Sequence, residues 1–147
     1  MLFSNPPKAL RGMRRVMKLG AKVSALVFST VEKNPYQGIP LAIVRRSGDT
    51  TLPQFSLSEA GVLDEAFRGG GFQNVTVHPV SFQRHFSSVA DAIQNLRSAI
   101  FIRETMANLG NAEREQAWAE IEEELGKRQG PDGLDLPGEM LIGVGTK

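Results

Sequence analysis

Cysteine is absent from the 147 residues. That excludes disulfides, thiolate nucleophiles and cysteine metal ligands together, and it suits a reducing compartment. Histidine is scarce: His78 and His85 flank Pro79 with no acidic ligand pattern nearby, so no metal site is expected. Charge of one sign is also lacking. Seventeen basic against sixteen acidic side chains leave a net charge of +1, so no bulk field recruits nucleic acid or an anionic membrane. The longest apolar runs, Ala25 to Phe28 and Ile39 to Val44, fall far short of the roughly 20 residues that span a bilayer. Pro6 and Pro7 interrupt any signal-peptide core. The basic, proline-containing start also suits an organelle transit segment, but the helix it leads into reads as structural, and a soluble cytoplasmic protein is expected. What remains, 41% hydrophobic and 22% charged residues, is ordinary for one soluble domain with a real core.

Asn5 reads as an N-cap, with Pro6 at the first helical position. Leu10, Met13 and Met17 recur at helical spacing, Arg11, Arg14, Arg15 and Lys18 cover much of the remaining surface, and Gly20 closes the helix. Val23 to Phe28 is nearly continuously apolar and suits a strand covered on both faces. Ser29 to Phe55 reads as irregular, broken by Pro35, Gly38, Pro40, Gly48 and Pro53, with Ile39 to Val44 as a short strand or buried turn.

Two capping boxes follow, Ser56 to Glu59 and Ser88 to Asp91. The first opens a helix with Ala60, Leu63, Ala66 and Phe67 on one face, ended by Gly69-Gly70-Gly71. The second opens a helix to Leu109 with Val89, Ile93, Leu96, Ile100 and Phe101 on a broad apolar face. Between them, Phe72 to Phe82 alternates in part, and Pro79 marks an edge or bulge. After Gly110 and Asn111 a last helix carries Trp118, Ile121 and Leu125 beneath an acidic surface. Turn residues at 130–133 and 137–138 precede a final strand from Glu139 to Thr146.

The string Arg15-Val16-Met17-Lys18-Leu19-Gly20-Ala21 resembles the helix end that precedes the fifth strand in class I S-adenosylmethionine-dependent methyltransferases. The resemblance is to the small-molecule group that includes ubiquinone- and menaquinone-biosynthesis enzymes, with Leu19 and Ala21 replacing the usual proline and second glycine. Phe55-Ser56-Leu57 before a helix, Gly70 to Val75 before a strand, and the closing Met140 to Lys147 are similar to later elements of that family. The order of elements matches over almost the whole chain.

The resemblance implies an α/β fold: the C-terminal portion of a Rossmann-like sheet, with parallel strands, a late antiparallel strand and flanking helices. It implies one partial domain over 1–147, with a helical lid-like segment at 87–128. The activity implied is methyl transfer from S-adenosylmethionine to a small acceptor, a lipophilic one if the pocket wall is apolar. The family's cofactor-binding glycine loop has no counterpart, since Gly69-Gly70-Gly71 follows a helix instead of a strand. The chain is therefore expected as a substrate-side half, inactive alone and a poor binder of the cofactor.

By the same resemblance, Asn34 and Tyr36 are substrate-side candidates, as are Phe82, His85 and Phe86 at the approach to the lid-like segment. The residues also admit plainer readings: a surface loop for Asn34 and Tyr36, and a packed core for the aromatics. His85 is either a general base or a surface residue. The basic stripe of the first helix is either a phosphate-binding face or a solvated one. A strand at Val23 to Phe28 without a neighbour would leave an edge and an apolar patch. That predicts a two-fold homodimer, or pairing with a missing N-terminal half, and no nucleic-acid or membrane partner. The alternative function is a non-catalytic dimerising or binding protein derived from a methyltransferase.

Overall fold

The computed structural model describes residues 3, 5–45 and 53–147. Gly48, in the stretch expected to be irregular, lies outside these residues. The chain divides into two compact units, one from residues 1–31, 52–81 and 139–147, the other from 32–51 and 82–138. The segment 87–128 belongs to the second unit.

In the first unit, α1 (Pro6–Val16) starts as the sequence dictates. Asn5 Oδ1 accepts the Lys8 amide at 2.9 Å, and Pro6 and Pro7 occupy positions whose amides would otherwise lack partners. The helix ends at Val16, short of Gly20, where Met17 turns extended (ψ 155°), and Lys147 Nζ donates to the Met17 carbonyl at 2.7 Å. Gly20, at φ +77°, then turns the chain into β1 (Lys22–Phe28). A 3-10 turn at Pro53–Phe55 precedes α3 (Ala60–Gly69). The first capping box is not realised: α3 begins after Glu59, which makes no side-chain cap bond. α3 packs on α1, with Arg11 Nη1 donating to the Gly69 carbonyl at 2.9 Å and the Arg14 side chain lying along Gly71. One of the four stripe residues thus joins the two helices, and a second packs just beyond the end of α3.

Two long strands complete the sheet, β2 (Gln73–Phe86) and, near the C-terminus, a strand at Gly133–Thr146. The latter is numbered β4, after the two-residue β3 (Gln129–Gly130). The order is β1-β4-β2, with β3 also on β4. β4 runs antiparallel to β1 over seven pairs, from Lys22 opposite Thr146 to Phe28 opposite Met140. It is also antiparallel to β3, across the two-residue turn Pro131-Asp132.

These ladders correct the expected Rossmann-like sheet of parallel strands. A parallel neighbour needs a crossover connection of a dozen or more residues, whereas β4 reaches β3 by a tight hairpin and meets β1 head to tail. The result is a mixed α/β fold with an antiparallel sheet, and the resemblance to class I methyltransferases is overturned with it.

β1 is not covered on both faces. Val23, Ala25 and Val27 lie half-buried against the helices, while Lys22, Ser24 and Leu26 are exposed, Leu26 by 58%. Leu10, Leu57, Leu63, Ala66, Phe67, Phe72 and Leu141 form the core of this unit. Gly143 and Gly145 let Phe67 and Phe72 lie directly on β4: an added Cβ at either glycine would come 2.7 Å from the Phe67 ring.

The second unit is mostly helical. Its first helix, α2 (Pro35–Arg45), replaces the irregular chain, with a short strand or buried turn, expected there. Pro35 opens it, and the Asn34 carbonyl accepts from Gln37 and Gly38. Pro40 lies inside, removing one donor without ending the helix. Leu41, Ile43 and Val44 are buried, so helical spacing fits this apolar run as well as strand spacing would. Next, α4 (Val89–Ser98) and α5 (Ile100–Met106) stand where one helix was expected, separated by extended Ala99 at ψ 127°. The second capping box holds: Ser88 Oγ accepts the Asp91 amide at 3.2 Å. The last helix, α6 (Asn111–Gly126), buries Ala117, Trp118, Ile121 and Leu125.

Candidate functional site

Four of the five sequence candidates can be placed around β2 and α2 of the second unit. Tyr36 is the second residue of α2, and its ring stacks on Phe86 of β2 at 5.1 Å and 25°. Its hydroxyl donates to Asn95 Oδ1 of α4 at 2.7 Å, and the Arg84 guanidinium lies 4.5 Å from the ring centroid. Burial raises the phenol above its ordinary range, Arg84 opposes that and Asp91 adds to it. The phenol therefore stays protonated and acts as a donor. Tyr36 and Phe86 are buried, so the pair reads chemically as packing around one satisfied polar group.

Phe82, two and four residues before Arg84 and Phe86 in the alternation of β2, packs over Gly138 of β4, where a Cβ could not fit. His85 has the opposite parity and leaves this group. Its Nδ1 lies 2.9 Å from Asp135 Oδ1, and both side chains are more than half exposed. Such a pair contributes little to stability. Asn34, the fifth candidate, is buried just ahead of α2. Arg84 and Asn95 complete the Tyr36 cluster, and Asn95 carried no signal in the sequence. Parity along β2 would have grouped Arg84 with Phe82 and Phe86.

The open site is in the first unit. An apolar groove of about 400 Å³ runs along β1 between α1 and α3. Leu10 and Met13 of α1, Leu26 and Phe28 of β1, and Leu63 and Phe67 of α3 line it. On the side away from β4, β1 has no partner strand among the described residues. Groove and free edge thus meet on one strand.

Among the described residues, no three His, Asp or Glu side chains come together as a metal site would require. None of the described helices is long and apolar enough to cross a membrane. No family model matches the chain, and a search of curated proteins found no match. With the antiparallel ladders of β4, the expected methyltransferase activity is corrected, and with it the alternative of a binding protein derived from one.

Proposed function

We propose that the first unit is an association module, in which the free edge of β1 pairs with β1 of a second copy in an antiparallel, two-fold arrangement. The observation that carries this reading is the contrast between the two edges of the sheet. β2, at one edge, contains Pro79 and charged or polar residues, which are ordinary devices against edge pairing. β1, at the other, has an unbroken seven-residue register, no proline, no bulge and a single charge at Lys22. Its outward amide and carbonyl groups need partners, and a strand of the same chain supplies them.

A two-fold axis at Ala25 puts Val23 opposite Val27 of the partner copy, and Ser24 opposite its Leu26. β-branched and apolar cross-strand pairs of this kind are favourable. Each Lys22 then faces a phenylalanine. The two Lys22 charges stand six residues apart along the ladder, about 20 Å, which is twice the ~10 Å screening length at 0.1 M salt. Self-pairing therefore places no like charges in contact along the strand.

Sedimentation equilibrium at micromolar concentration tests this reading. The wild-type chain is expected at twice its monomer mass. Leu26→Lys, at an exposed position, is expected to be monomeric with unchanged circular dichroism. Because the first unit carries eight basic against four acidic residues, association is expected to strengthen as salt rises and screens the two copies. A monomeric wild type, a Leu26→Lys dimer of undiminished strength, or association that salt weakens would each overturn the reading.

A further inference from the structure

The second unit holds a cavity of about 590 Å³, lined by Arg97, Arg103, Arg114, Glu104 and Trp118, with Met106 in its wall. Arg97 lies in the last turn of α4, Arg103 in the last turn of α5, and Arg114 four residues into α6. Three consecutive helices thus bring three arginine side chains to one opening.

Two of the guanidinium groups are held, and neither by a carboxylate. That of Arg97 lies 4.4 Å from the centroid of the buried Trp118 ring. Arg114 donates Nε to the Met106 carbonyl at 3.2 Å and Nη2 to the Leu109 carbonyl at 2.9 Å. Among the described residues, the ion pairs include none of the three arginines. Glu104 shares the lining without pairing, so three positive charges face one negative charge. Stacking and carbonyl bonds fix the planes of two forks and leave donors over. A fixed, unneutralised fork is the usual instrument of oxyanion recognition.

We infer that this cavity binds a small organic phosphate monoester, with its head on the arginines and its apolar body along Met106 and Ala107. The local excess of two positive charges matches the near-dianion that a phosphate monoester carries at neutral pH. Three terminal oxygens can engage more than one guanidinium, whereas a carboxylate fills a single fork. The cavity falls within the ~300–1,000 Å³ range of small-molecule sites, and it exceeds what an inorganic phosphate would fill.

Trp118 is the only tryptophan in the chain, so selectively excited tryptophan emission reports on this cavity. Titration with phenyl phosphate is expected to change that emission saturably, and inorganic phosphate to bind more weakly. The Arg103 side chain makes no hydrogen bond or ion pair among the described residues; its backbone N–H and carbonyl bond within and just beyond α5. Arg103→Gln is therefore expected to keep the wild-type unfolding midpoint while weakening phenyl phosphate binding about tenfold or more. Three results would overturn the inference: no saturable change, equal affinity in Arg103→Gln, or phenyl phosphate and inorganic phosphate binding alike.

Discussion

The two units of this chain differ in charge and in how completely each covers its apolar surface. The first carries eight basic and four acidic residues, the second nine and twelve. Residues 1–31 contain six basic side chains and no acidic one. Among the described residues, seven of the eight large apolar side chains that stay exposed, Leu19, Val16 and Leu26 among them, belong to the first unit and Ile100 to the second. The second unit closes sixteen buried residues around Trp118, Ile121 and Leu134. A net charge of +1 therefore conceals two surfaces of opposite sign. The unit that leaves apolar surface open is also the one with a free strand edge, which is why association is assigned there and small-anion binding to arginines of the other.

The sharpest way to break this contrast is to damage the open unit at its centre. Phe67 is fully buried, covers Gly143 and Gly145, and meets Phe72 edge-on at 5.7 Å. Because its two nearest strand positions are glycines, no side chain there can move in to fill the space. Phe67→Ala is expected to cost about 3–5 kcal/mol, read from the urea midpoint. A loss below about 1.5 kcal/mol would mean that the sheet and helices of the first unit are not packed as described.

Most of the helices were legible in the sequence because their signals are local. Asn5 with Pro6, Ser88 with Asp91, and the Gly69-Gly70-Gly71 stop each act through atoms a few residues away. The sheet was not legible, because strand direction is set by which distant segment supplies the partner. Residues 22–28 pair with 140–146, more than a hundred positions on, and nothing inside Val23 to Phe28 encodes that direction. The resemblance supplied a parallel arrangement in place of the missing information. α2 is hard to see in the sequence for a different reason: Pro35, Gly38 and Pro40 resemble loop punctuation, while the apolar face they interrupt is completed by contacts with α6. The Tyr36–Phe86 pair was within reach as a candidate and strand parity reaches Arg84, but Asn95 depends on how α4 meets α2.

A smaller effect tests the closed unit. Tyr36→Phe removes the bond to Asn95 and is expected to cost about 0.5–1.5 kcal/mol near neutral pH. Burial raises the folded-state phenol above its ordinary value of 10.0, so folding favours the protonated form. That contribution is fully present below about pH 10, the unfolded value, and is lost as pH rises through the higher folded value. Thermal melts between pH 8 and 11 should therefore show the wild type losing stability at the alkaline end faster than Tyr36→Phe. Parallel melting curves would place the hydroxyl in solvent.

The smallest expected difference lies between the two helix caps, one in each unit. Asn5 Oδ1 is bonded to the Lys8 amide, and α1 has no acidic residue in its first turn to share the task. Ser88 Oγ is bonded to the Asp91 amide, and the Asp91 carboxylate reaches back to the Ser87 amide at 3.3 Å and the Ser87 hydroxyl at 3.2 Å. Asp91 also places a negative charge at the positive end of the α4 dipole, where none exists in α1. Each cap substituted by alanine is expected to cost on the order of 1 kcal/mol. Asn5→Ala should fall at the upper end and Ser88→Ala at the lower, because the carboxylate keeps the start of α4 in place. Paired urea titrations decide the order. If Ser88→Ala costs more, the Asp91 carboxylate does not support the cap, and the acidic unit owes less to its local charge than the placement of Asp91 implies.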